Sequence, residues 1–303
     1  NSVAGNTVLG ESALDASVSG GNNTAIGLNS LTALTSGASN TAIGSGTLQT
    51  DTTGFANTAV GLNSLNSNNA SNNTAIGKDS LKLNTGDNST AVGSESLDAN
   101  TSGNHNVAVG YASLGANTTG ATNVAIGANA LDANTTASNN VAVGVHSLGA
   151  NTTGTQNVSV GSLALDANTT GQRNTAVGYN ALTTATTNDN TAIGADALES
   201  NTSGSQNVVV GSQAADANTT GSSLVAIGYN ALSSNTTASD NSAVGQSALR
   251  DNTTGSQNTA LGQNALRANT TASDNTAVGK NALVLNTTGT ENTAVGSLSL
   301  DAN

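Results

Sequence analysis

A five-residue string, Asn-Thr-Ala-Val-Gly with small variations, recurs along this chain from one end to the other. Its terminal glycines run from Gly10 to Gly296 in 18 copies, with 14 intervals of 17 residues and three of 16. The short intervals are Gly61 to Gly77, Gly77 to Gly93 and Gly178 to Gly194, and the spacing of apolar positions survives all three. Self-similarity at a fixed short period is the signature of a solenoid, in which each repeat is one turn stacked on the next. A disordered chain has no reason to hold such a register.

The copy that starts at Asn174 serves as the type: Asn174-Thr175-Ala176-Val177-Gly178-Tyr179-Asn180-Ala181-Leu182, followed by a polar loop. The Val177 position is always Val, Ile or Leu, and the Leu182 position is Leu in 17 copies and Ala215 in one. Thr175 alternates with Val in six copies, Val107, Val124, Val141, Val158, Val208 and Val225. These residues favour strands, and a helix reading fails because the apolar positions do not follow a 3.6-residue period. Alternate side chains of a strand share a face. Hydrophobicity alone therefore places Thr175 and Val177 on the inner wall and Asn174 and Ala176 outside. A glycine bend follows, then a second short strand ending in Leu182. Loop segments such as Asn168-Thr169-Thr170-Gly171 supply turn chemistry.

The expected fold is all-β: a parallel β-solenoid of about 18 turns with a 16–17-residue repeat, running as one continuous domain over 1–303. Stacking at about 4.8 Å per turn makes a rod of roughly 80 Å. Asn at the first repeat position, present in 16 of 18 copies, can hydrogen-bond along the stack. Each turn offers few large aliphatics to a core, so further burial between chains is expected. The mostly small positions, represented by Ala176, Ala192 and Ala226, are the expected oligomer face. The ends carry a second expectation. Placing Asn1 of one copy after Asn303 of another restores the 17-residue interval, as in a longer fibre or subunits stacked head to tail.

Composition excludes several functions. With 18 acidic against six basic residues, the net charge is −12, and the six cations stand singly. A phosphate backbone needs clustered cations, so nucleic acid is not an expected partner. No apolar run is long enough to insert in a membrane as a helix, and the absence of Cys removes disulfides and thiolate metal sites. His105 and His146 lie in different turns and at different repeat positions, outside any metal spacing. Asp98, Asp132, Asp166, Asp216 and Asp301 each follow the Leu position and form a candidate carboxylate column, without the Gly-Gly-x-Gly-x-Asp pattern of calcium solenoids. Asn117, Asn151 and Asn252 match the glycosylation acceptor pattern. Tyr111, Tyr179 and Tyr229 each follow the repeat glycine and form a candidate outward contact stripe. No Ser has a His–Asp partner at a repeat-defined position. The expectation is no enzyme, no cofactor and no metal.

The strings at Asn23 to Gly27 and Asn106 to Gly110 resemble the YadA-like head repeats of trimeric autotransporter adhesins, and every turn of the chain carries the likeness. The family repeat is shorter, the extra residues here falling in the Asn-Thr-Thr-Gly loop. The resemblance implies a left-handed β-roll, three chains side by side, and export to a bacterial surface. It also implies adhesion to host matrix or other cells. Similar repeats occur in phage fibres. The function expected is thus an extracellular structural fibre or adhesin. The alternatives are a rod binding ice or polysaccharide, or a phage tail-fibre segment.

Overall fold

The computed structural model describes residues 3–67 and 69–301. Among these the protein is all-β, with three-residue strands joined by turns and no helix. The expectation about joined ends rests on Asn1 and Asn303, which lie outside the described residues.

Two compact units comprise residues 1–155 and 156–303. The first holds β1 (Thr7–Leu9), β2 (Thr24–Ile26), β3 (Thr41–Ile43), β4 (Thr58–Val60), β5 (Thr74–Ile76), β6 (Thr90–Val92), β7 (Val107–Val109), β8 (Val124–Ile126) and β9 (Val141–Val143). The second holds β10 (Val158–Val160), β11 (Thr175–Val177), β12 (Thr191–Ile193), β13 (Val208–Val210), β14 (Val225–Ile227), β15 (Ser242–Val244), β16 (Thr259–Leu261), β17 (Thr276–Val278) and β18 (Thr293–Val295). Within each unit, successive strands pair in parallel, every residue opposite its equivalent one repeat on, as Ala25 with Ala42 and Ala243 with Ala260. Each unit is therefore a parallel β-solenoid with one strand per turn. The 16-residue intervals keep this register: Thr58 pairs with Thr74, Thr74 with Thr90, and Thr175 with Thr191. The missing residue comes out of the polar loop.

The strand faces the opposite way from the expectation. Asn174 and Ala176 are fully buried, while Thr175 and Val177 are partly exposed. The reason is polar satisfaction. The Asn carboxamide supplies hydrogen bonds that the tight turn needs inside, and the two-residue period then turns Ala inward and both β-branched neighbours outward. Ala176, Ala192 and Ala226, expected at an oligomer face, each have no exposed surface in the single chain. They are core.

The second strand expected before Leu182 is also absent. Residues 179–182 form a turn in which Asn180 and Leu182 both have positive φ, 53° each. Ala181 and Leu182 both reach the interior. Positive φ is a serious strain for β-branched side chains, which explains why this column holds Leu rather than Val or Ile. Gly178 has φ of 139°, and a Cβ there would lie 2.4 Å from the carbonyl oxygen of Gly194 on the next turn. Only glycine permits that stacking distance.

The interior is a fixed volume shared by the Ala and Leu columns. Val209 is the one fully buried Val at the strand centre, and the same turn carries Ala215, the one departure from Leu. Two extra carbons at the strand centre offset three missing at the turn. Ala215→Leu alone is expected to overpack, costing about 1–3 kcal/mol. Val209→Ala added to it restores the ordinary turn. A double-mutant cycle by chemical denaturation measures this, with a coupling of about 0.5–3 kcal/mol expected.

Candidate functional site

Two asparagine ladders hold the turns together. In the first, the backbone N–H of each strand-start residue donates to the side chain one turn earlier: Asn40 to Asn23 Oδ1 at 3.0 Å, Asn57 to Asn40 at 3.0 Å, Asn73 to Asn57 at 3.0 Å. Ser89 continues it with its hydroxyl, accepting from Asn106 N at 3.3 Å. Leu224 donates its N–H to Asn207 Oδ1 but offers no side-chain acceptor, so the ladder restarts at Asn241, which accepts from Asn258. The second ladder runs through the loop, three residues after Leu. Asn218 Nδ2 donates to Asn201 Oδ1 at 2.9 Å and to Gly221 O at 3.0 Å, and Asn235 Nδ2 donates to Asn218 Oδ1 at 2.9 Å.

From sequence alone this second ladder reads as turn chemistry. The available signal is Asn three residues after the Leu182-equivalent position in 14 of 18 copies, too regular for a solvated loop. Its burial also removes the glycosylation candidates. Asn117, Asn151 and Asn252 have no exposed surface, and each Nδ2 donates to the neighbouring Asn Oδ1. The first Thr of the loop makes a third row, Thr118 Oγ1 donating to Thr135 O at 3.0 Å and Thr219 to Thr236 at 2.9 Å.

The outward strand face is the other regular surface. Its two rows are the Thr175 and Val177 columns, and no strand position among the described residues carries a charge. Large apolar side chains stand partly in solvent along it, including Ile43 and Ile76 in one unit and Ile193 and Ile227 in the other. The column beside it holds Tyr111, Tyr179 and Tyr229, at 55%, 54% and 52% exposure, with Leu28, Leu62 and Val145 at equivalent positions.

The ion pairs lie elsewhere, as where Asp79 meets Lys78 at 3.1 Å and Lys82 at 3.2 Å, and the histidines and the candidate carboxylate column do not assemble. His105 and His146 are exposed at different turn positions, both with positive φ. Asp98 and Asp132 are separated by the turn bearing Gly115. Between Asp166 and Asp216 lie the turns bearing Thr183 and Glu199. Burial pushes the Asp98, Asp132 and Asp216 carboxyls up, His146 opposing the shift at Asp132. Among the described residues no three His, Cys, Asp or Glu side chains group as metal ligands would, and no helix is long and apolar enough to cross a membrane. No protein-family model matches the chain, and a search of curated proteins finds no match.

Removing a ladder rung leaves buried partners unpaired. Asn218→Ala is expected to cost about 1–3 kcal/mol, whereas Thr220→Ala, at an exposed loop position, should stay within about 0.5 kcal/mol. Chemical denaturation of the two variants checks the contrast.

Proposed function

We propose that this chain is a non-enzymatic structural subunit of an extracellular fibre or surface adhesin of bacterial origin, packed side by side with copies of itself. The observation that carries this reading is the outward strand face. It is uncharged, apolar at one row in every strand, and partly exposed in the single chain. Monomeric proteins rarely leave large continuous apolar surface in water, and burial contributes roughly 25 cal/mol per Å². The protein carries a net charge of −12, yet this face carries none, so like faces can meet without repulsion. A second copy matches it row for row because each copy presents the same period.

The resemblance to adhesin head repeats supports three chains as the number. Contact with host matrix, other cells or polysaccharide belongs on surfaces outside that interface, and the proposal calls on no cofactor. The relevant interface residues are Val177, Ile193 and Ile227 rather than the buried alanines.

Light scattering tests this directly. The wild-type chain is expected to be a trimer, and the triple variant Val177→Glu, Ile193→Glu, Ile227→Glu a monomer that keeps its β-type circular dichroism. A wild-type monomer at micromolar concentration would defeat the reading and leave the face to a ligand.

A further inference from the structure

One rung of the second ladder is an acid. The position three residues after Leu holds Leu34, then Asp51, ahead of the asparagine rungs from Asn84 to Asn151. Asp51 has no exposed surface. Its Oδ1 accepts the N–H groups of Thr53 at 3.2 Å and Gly54 at 2.8 Å, much as Asn218 Oδ1 accepts Gly221 N at 3.1 Å. Its Oδ2 is buried without a hydrogen-bond partner.

In an asparagine rung, Nδ2 faces two acceptors. Asn117 Nδ2 donates to Gly120 O, three residues on, at 3.0 Å and to Asn100 Oδ1, one turn back, at 2.8 Å. At Asp51 the rung one turn back is the buried aliphatic Leu34, which offers nothing. The remaining acceptor in the repeat pattern is the Gly54 carbonyl, which already accepts Asn40 Nδ2 at 2.8 Å and retains a second lone pair. An ionised carboxylate can only accept, so its Oδ2 has no donor to meet there. A protonated carboxyl carries one O–H and reproduces the asparagine donor.

We propose that Asp51 is a proton-operated rung: protonated, it closes the 51–54 loop as asparagine does elsewhere, and ionised, it favours local opening of that loop. The influences on this carboxyl are burial, which pushes it up to about 6, opposed by the Gly54 and Thr53 amides. No charged side chain is among them. Leu34 on the preceding turn and the neighbouring Asn40 and Asn57 are neutral. Residue 68, the equivalent sequence position one repeat on, is a neutral asparagine outside the described residues.

The sign follows from linkage. The closed loop holds its proton more tightly than the open one, so closure is most favourable below about pH 4 and weakens as pH rises to about 6. The opening equilibrium should then rise on the order of a hundredfold between pH 4 and pH 7. Hydrogen exchange of the 52–55 amides, corrected for intrinsic rates and referred to the 118–121 loop, reads this change. Wild type should lose protection by that factor over the interval. Asp51→Asn, which installs the residue most turns carry, should show a flat profile and higher protection at pH 7. Equal pH dependence in both proteins would overturn the proposal, as would a flat wild-type profile. A carboxyl ¹³C titration of Asp51 centred near 4 would overturn it as well.

Discussion

The buried asparagine carboxamides tie one turn of this protein to the next. Asn174 Oδ1 accepts the backbone N–H of Asn190, while its Nδ2 donates to the carbonyl of Thr187. A buried amide left unpaired costs more than the net gain of a made bond. The carboxamide therefore determines which side of the strand is inside. Once Asn174 points inward, strand geometry sends Thr175 out, Ala176 in and Val177 out. The partly exposed apolar row that contains Val177 is a consequence of polar satisfaction within the chain.

The packed interior is correspondingly small. Ala176, Ala181 and Leu182 fill a turn together with the asparagines, and the exchange of volume between Val209 and Ala215 marks how tightly that space is set. Leu182 reaches the core only through a left-handed backbone. Residues that would be ordinary core in a sandwich, Val177 and Ile193, lie outside because the turn has no room behind a three-residue strand.

Much of this was legible in sequence. The period, the first strand of each repeat and the bend at Gly178 emerge from composition and spacing, while the second strand expected before Leu182 is a turn. The persistence of register through the 16-residue intervals emerges as well. The direction of the strand did not emerge, because hydrophobic pattern reading ranks Val177 above Ala176 for burial and takes no account of where Asn174 must find partners. The loop ladder was hidden for a related reason: Asn-Thr-Thr-Gly is also good turn chemistry, and a polar residue in a turn suggests solvent. The conformation of Leu182 leaves only a negative trace, the absence of β-branched residues from its column. Asp51 departs from its column by a single atom type, and only its burial gives that departure a consequence.

Within each unit, a strand touches just the strands before and after it. The contacts that Ala243 makes with Ala226 and Ala260 are of the same kind as those Ala91 makes with Ala75 and Ala108. Cutting out one such turn brings two equivalent surfaces together, and inserting one separates them without altering either. Unequal crossing-over between near-identical gene segments does this in frame, since the segment is a whole number of codons. Length in such a protein is an inherited variable that recombination can adjust, one turn at a time, without designing a new fold.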